Sequence, residues 1–367
     1  MEDLLVAERV EQDFHNLSRD ELTHFINDKK RELEGELCIL EHNFQLDDLL
    51  QFADVVGDTS SLLKMTRQTQ ADYLVYCGAR FFTEAGAILC PDKTVIQANM
   101  KADCPLTNDV DEQRTEDIYN ALKKVCSNEL VPMIYFTGSY KLKSFCGRNN
   151  GTCCTASSAH KLIEHLFEQK KSVFFTPMSN IALNVVKDFN LPEADYAVIN
   201  EKTDLSSIGE KKMYIWDIGC YVHSDFSVED VDRLREMHEG IKIVSHLECL
   251  PDVIEASDYG CFTDGVWDVF KENPDQGKWG LATVNNFAYR LAKAYPEKTV
   301  VPVRPDLCCH GMVVTDLPHL ARCLQSIIDH KNGEGDLKTQ IIIPEEYRIF
   351  AELSINNMYA ILDEIDK

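Results

Sequence analysis

MYIWDIGCYVH (213–223) sets an apolar run of strand length directly against a thiol, with a histidine three residues further on. The same arrangement occurs twice more: TVIQANMKADCP (94–105) leads to Cys104, and TVVPVRPDLCCHGM (299–312) leads to the doublet Cys308–Cys309. In α/β proteins, ligands bind beyond the carboxyl ends of parallel strands, and all three stretches put a thiol at such a place. Spacing alone does not separate a shared site from three cysteines that fell in loops by chance.

Outward from these stretches the chain alternates. Strand-like runs are predicted at LCIL (37–40), YLVYC (73–77), TVIQ (94–97), MIYF (133–136), VFF (173–175), MYIW (213–216), KIVSH (242–246) and TVVPV (299–303). Amphipathic stretches of helical length lie between them, including EDIYNALKKVC (116–126), HKLIEHLFEQK (160–170), VEDVDRLREMHEG (228–240) and LPHLARCLQSII (317–328). Ser18 and Glu21 make a capping box for a first helix that puts Leu22, Phe25, Ile26 and Leu33 on one face, with Gly35 as its stop. FAELSINNMYAILDEI (350–365) is a final helix. Such alternation implies parallel sheets covered by helices. It does not say whether they form one large sheet or several small Rossmann-like layers.

The 367 residues carry 37 Lys+Arg against 61 Asp+Glu, a net charge of −24, so a general field that repels nucleic acid and anionic membranes. No apolar run approaches the ~20 residues of a membrane span. MEDLLVAERVEQDF (1–14) lacks a signal-peptide layout, so a cytoplasmic location is expected. Fourteen cysteines in such a chain are not expected to pair as disulfides. No CxxC pair occurs, and Cys153–Cys154 and Cys308–Cys309 are adjacent, which is poor geometry for joint ligation of one tetrahedral ion. Buried thiols, a redox role, or a cluster with ligands from distant parts of the chain remain.

Blocks through most of the chain carry a family resemblance: EHNFQ (41–45), ADVVGDT (53–59), FFTEAGAILCPDKTV (81–95), KADCP (101–105), CCTASSA (153–159), FTPMSN (175–180), WDIGCYVH (216–223), SHLEC (245–249), FTDG (262–265), ATVNN (282–286) and CCHGM (308–312). In this order and spacing the sequence resembles the quinolinate synthase family, iron–sulfur enzymes of NAD biosynthesis. The resemblance implies three similar three-layer α/β/α (Rossmann-like) domains about a pseudo-threefold axis, with a [4Fe–4S] cluster at their junction. The expected domains are 1–104 plus 310–367, 105–215 and 216–309. Matching blocks imply Cys104, Cys220 and Cys309 as cluster ligands, with Cys308 competing for the last place. They imply Glu248 as general base, His246 as its orienting neighbour, and Tyr135 and His42 as further catalytic groups. Thr59, Phe44, Thr137, Ser157, Asn180, His223 and Thr263 would hold substrate. Without the resemblance, each histidine reads more readily as structural. The implied reaction condenses iminoaspartate with dihydroxyacetone phosphate, loses phosphate and dehydrates to the pyridine ring. The partners implied are small carboxylate or phosphate substrates and an enzyme supplying iminoaspartate, with no nucleic acid and no membrane.

The chain departs from the family where substrates should sit. Phe44 replaces a tyrosine, Thr137 an asparagine and Ala156 a serine, unless Ser157 takes that place; Val284, Gly311 and Lys101 replace a glutamate, an asparagine and an acidic residue. CGRNNG (146–151) reads as a small insertion. Losing a partner of a charged group costs ~1.5–3 kcal/mol, so these changes are expected to alter substrate binding, and little quinolinate is expected from the unmodified chain. Two other readings follow: a paralogue using the same cluster for another condensation, lyase or dehydration step, and a non-catalytic iron–sulfur redox sensor. Retention of His42, Tyr135, His246 and Glu248 argues against the sensor.

Overall fold

The structure, a computed structural model, describes residues 14–367. Apart from Phe14, the N-terminal stretch read for a leader lies outside the described residues. The chain divides into two compact units, residues up to Cys104 with Cys309–Ile343, and Pro105–Cys308 with Pro344–Lys367.

The first unit is built on one parallel sheet of β1 (Leu37–His42), β2 (Val55–Gly57), β3 (Tyr73–Tyr76) and β4 (Thr94–Gln97), in the order β2-β1-β3-β4. The Ser18–Glu21 capping box starts the helix Arg19–Glu32, and Asp316 caps the helix Leu317–Lys331. These two helices pack together, and Ile26, Leu320, Leu324 and Ile327 share a core with Ile39, Val75 and Ile96 of the sheet. The apolar faces read in the sequence are the ones buried.

The second unit holds two parallel sheets. One contains β5 (Leu130–Tyr135), β6 (Thr152–Cys154), β7 (Ser172–Thr176), β8 (Tyr196–Ile199) and β9 (Met213–Trp216), in the order β6-β5-β7-β9-β8. The other contains β10 (Lys242–His246), β11 (Tyr259–Cys261), β12 (Lys278–Ala282) and β13 (Thr299–Pro302), in the order β11-β10-β12-β13. Gly280 lets β12 lie under the helix Val228–Met237: a Cβ there would stand 2.5 Å from Leu234 Cδ2. The three sheets give three α/β layers, as the resemblance implied.

All three share one winding. The chain enters at an inner strand, steps to the edge, then returns to the other side of its starting strand. Strand order therefore reverses between β1 and β3, between β5 and β7, and between β10 and β12. Such switch points open a crevice at the carboxyl ends of the strands, the usual ligand position in an open α/β sheet.

Residues 344–367 belong with the second unit, not with the first. The helix Glu345–Ile365 packs on the helix Tyr140–Arg148 and on β6, where Gly147 allows an approach that a side chain would prevent: its Cβ would lie 1.9 Å from the Phe350 carbonyl oxygen. The Asn357 amide donates to the Gly151 carbonyl at 2.8 Å, and Ser354 Oγ meets Cys153 Sγ at 3.2 Å. CGRNNG thus seats this helix. The limit expected at 215/216 falls inside β9, which ends at Trp216.

Candidate active site

In the second unit, two switch points supply the polar groups. Tyr135 is the last residue of β5 and His246 the last of β10. A tight turn follows β10, closed by the Cys249 N–H on the His246 carbonyl at 2.9 Å, and it turns Glu248 back toward His246. The Tyr135 hydroxyl donates to Glu248 Oε1 at 2.5 Å. His223 Nδ1 lies 2.8 Å from Glu248 Oε2, and its Nε2 lies 3.2 Å from Thr283 Oγ1, just beyond β12. The rings of His223 and His246 stack at 4.7 Å. His246 Nδ1 accepts the Glu248 N–H at 3.3 Å, which assigns its proton to Nε2, placed 3.2 Å from Thr263 Oγ1. All four ionisable groups are buried.

Burial alone would neutralise these groups, and their pairing decides otherwise. Burial pushes the Glu248 carboxyl up, but the His223 contact, His246 and the Tyr135 hydroxyl outweigh it and hold it well below the usual range. Burial pushes His223 down, yet Cys220 and Glu248 raise it far above an ordinary histidine. His246 is lowered to about 3, by burial and then by the neighbouring His223 charge. Burial and the Glu248 charge keep Tyr135 a phenol. At neutral pH the site therefore holds one carboxylate, one imidazolium, one neutral imidazole and one phenol. Cys220 joins them: its sulfur and the nearest His223 and Glu248 ligand atoms all lie within 4.8 Å of one another.

Around this core, amides fix the loops. The Asn180 amide donates to the Glu248 carbonyl at 2.8 Å and to Ser224 Oγ at 2.9 Å, while Asn184 donates to the carbonyls of Leu247 and Cys249. Fully buried Lys143 donates to the carbonyls of Phe136 and Gly138, the two residues flanking Thr137. Thr107 Oγ1 donates to the Thr137 carbonyl at 2.7 Å. The Thr137 and Thr176 hydroxyls, at the carboxyl ends of β5 and β7, are buried with no hydrogen-bond partner among the described residues. Unsatisfied buried hydroxyls at a switch point call for a ligand or an ordered water. Ser157 Oγ stands 3.1 Å from Thr155 Oγ1.

In the first unit, His42 ends β1 and its Nδ1 accepts the Phe44 N–H at 3.1 Å. Phe82 stacks on the His42 ring and Phe44 meets it edge-on at 4.6 Å. Thr59 opens the helix Thr59–Gln68, whose cap Asp58 accepts from the Ser61 N–H. Cys104 and Cys309, both half-buried, lie on neighbouring loops. The Asn99 amide of one loop donates to the Val314 carbonyl of the other at 2.9 Å, and a Cβ on Gly311 would stand 2.0 Å from the Asp103 carbonyl oxygen. Gly311 is thus imposed by backbone packing, and Val284 is fully buried beside β12.

With this geometry described, comparison with known proteins is decisive. The family model of the quinolinate synthetase A protein matches residues 25–360. The chain belongs to that family. It is 30% identical to the quinolinate synthase of Bacillus cytotoxicus over 352 residues, 94% of either chain, and 30% identical to that of Bacillus velezensis over 358 residues, 96% of either chain. A quinolinate synthase of Bacillus cereus is also 30% identical over 352 residues. These relatives are enzymes by name. Among the described residues, no helix is long and apolar enough to cross a membrane.

Of the residues singled out in the sequence, Tyr135, Cys220, His223, His246, Glu248, Asn180 and Thr263 converge in the second unit. His42, Phe44, Thr59, Cys104 and Cys309 belong to the first. Sequence reasoning missed the positioning roles of Thr283, Asn184 and Lys143 and the open hydroxyl of Thr176. Position at or just beyond the end of a switch-point strand is the signal that could have found Thr176 and Thr283.

Proposed function

We propose that this chain is a quinolinate synthase-type [4Fe–4S] enzyme of NAD biosynthesis, condensing iminoaspartate with dihydroxyacetone phosphate. The observation that carries the proposal is the buried Tyr135–Glu248–His223 chain, with neutral His246 beside it, at the switch points of a family member. A protein that only carried a cluster would have no use for so costly an arrangement of buried charge.

The donor chemistry fits the cluster. Cys104, Cys220 and Cys309 follow the corresponding strand of each sheet, β4, β9 and β13, and are half-buried, whereas eight other thiols are buried. Cys309 stands as far beyond β13 as Cys104 does beyond β4, which favours it over Cys308. These three residues would hold the cluster, and three thiolates leave one iron without a protein ligand. When bound, the cluster supplies a Lewis-acidic iron for a substrate hydroxyl or carboxylate.

The chain's own groups do the proton work. The His223 imidazolium binds a substrate carboxylate and donates a proton from Nδ1. Glu248 is a weak base while both partners hold it, and a stronger one once substrate draws His223 away; it then takes a proton from the condensing carbon or nitrogen. Tyr135 returns that proton through its hydroxyl to a leaving oxygen. Thr137 and Thr176 offer hydroxyls to substrate oxygens. Phe44 favours a second reading, a paralogue with altered substrates, because a phenyl ring carries no proton. An anaerobic assay with iminoaspartate and dihydroxyacetone phosphate, followed by detection of quinolinate, tests the proposal. No quinolinate from either the unmodified protein or Phe44→Tyr would leave the paralogue.

A further inference from the structure

Cys220 and His223 form a C-x-x-H pair, a spacing that suits ligation of a single ion. The turn between them is helical, with the Ser224 N–H on the Cys220 carbonyl at 2.9 Å, so both side chains leave one side of it. Glu248 meets them from β10, and sulfur, nitrogen and oxygen lie within 4.8 Å of one another. We propose that Cys220, His223 and Glu248 form a mononuclear site for a thiophilic divalent cation such as zinc, mutually exclusive with the cluster.

One thiolate, one imidazole and one carboxylate is a zinc donor set, and hard cations such as magnesium would not choose it. Tetrahedral bonds of about 2.0–2.3 Å put neighbouring donors about 3.4–3.6 Å apart. The His223–Glu248 separation of 2.8 Å therefore needs to open by a few tenths of an ångström, within the reach of a side-chain rotation. The outer contacts of a zinc site are already in place. Thr283 holds His223 Nε2, which leaves Nδ1 for the ion, and Tyr135 donates to the other Glu248 oxygen. Three protein ligands leave a fourth position open to water or to a substrate carboxylate. The site lies wholly within the second unit, so it forms without Cys104 or Cys309. It rests on the proposed active site only in sharing Cys220, so zinc bound there would keep the thiolate from a cluster and silence the enzyme.

The test uses full-length, reduced, cluster-free protein titrated with zinc against a chromophoric chelator. One equivalent is expected to bind, and Cys220 is expected to be protected from iodoacetamide. Cys220→Ser is expected to weaken binding by at least about 100-fold, more than the ~10–100-fold expected of Thr283→Val. Cys104→Ser, Cys308→Ser and Cys309→Ser are expected to bind zinc within twofold of the unmodified protein, although Cys104→Ser and Cys309→Ser would take up no cluster. Tight zinc binding that survives Cys220→Ser, or that is lost in Cys104→Ser or Cys309→Ser, overturns the proposal. Where Cys220→Ser fails to fold by circular dichroism, an unprotected Cys220 in zinc-loaded unmodified protein overturns it equally. These readouts involve no turnover, so a missing quinolinate activity would leave them unchanged.

Discussion

The two units hold their functional loops by different physics. In the first, shape does the holding: Gly311 lies against the Asp103 carbonyl, and the buried Gln97 amide donates to the carbonyls of Gly78, Asn99 and Ala102, tying the loop before Cys104 to the turn after β3. In the second, charge does it: a carboxylate, an imidazolium and an ammonium are all buried and all hydrogen-bonded. Close packing and neutral hydrogen bonds tolerate little added volume, and no net charge is at stake in them. A buried ionic chain tolerates an isosteric change of shape but not a lost charge. The units should therefore fail differently when altered.

Glu248→Gln keeps the volume and removes the charge. Turnover is expected to fall by at least ~100-fold, with iron content unchanged when the protein is prepared anaerobically. Near-normal turnover would break the contrast at its strongest point. Phe44→Tyr, in the first unit, places a hydroxyl beside His42 with almost no change of ring volume; quinolinate formation is expected to rise by about 100-fold, the low side of what a positioned proton carrier supplies. An unchanged rate would favour the paralogue. Gly311→Ala adds one methyl group where no space exists, and is expected to lower stability by about 1–3 kcal/mol in urea unfolding. A neutral result there would mean that the loops adjust and that shape is not what holds them.

The smallest effect concerns a partly exposed charge. Burial pushes the Asp258 carboxyl up, but Lys242, the Ile243 N–H and Arg235 outweigh it and lower its pKa. A lowered native pKa stabilises the fold above the ordinary aspartate range, and the gain is lost as pH falls through the native value. Asp258→Asn is expected to cost ~1 kcal/mol at pH 7, an advantage that disappears toward pH 3. Parallel unfolding curves at both pH values would remove Asp258 from the acid response.

Much of this was legible in the sequence because inner strands are strong local signals. The eight runs from LCIL to TVVPV are all strands, three with the expected limits and five within a few residues of them. What escaped was short or ambiguous: β2, β6 and β11 are three-residue edge strands, β8 is a four-residue edge strand, and β12, KWGLA, carries a lysine and a glycine that a local reading counts against a strand. Glu248, His246 and Tyr135 were reached through family blocks, and their convergence was not a local property. Thr283 reaches His223 only because the sheet order places β12 beside β10. Lys143 lies in a stretch to which the sequence assigned no element, and nothing near it in sequence reveals that its ammonium serves two carbonyls in the preceding loop.

The helix Glu345–Ile365 has a consequence for how the molecule is made. Its partners Gly147, Gly151 and Cys153 leave the ribosome some two hundred residues before it does, and the intervening chain includes the whole return segment of the first unit. Until this helix is made, the face of the β5 sheet beside Cys153 stays uncovered, with its apolar side chains open to other chains. The second unit thus carries an unfinished face while some two hundred residues are added, and losing this helix would strip the cover from its β6 edge.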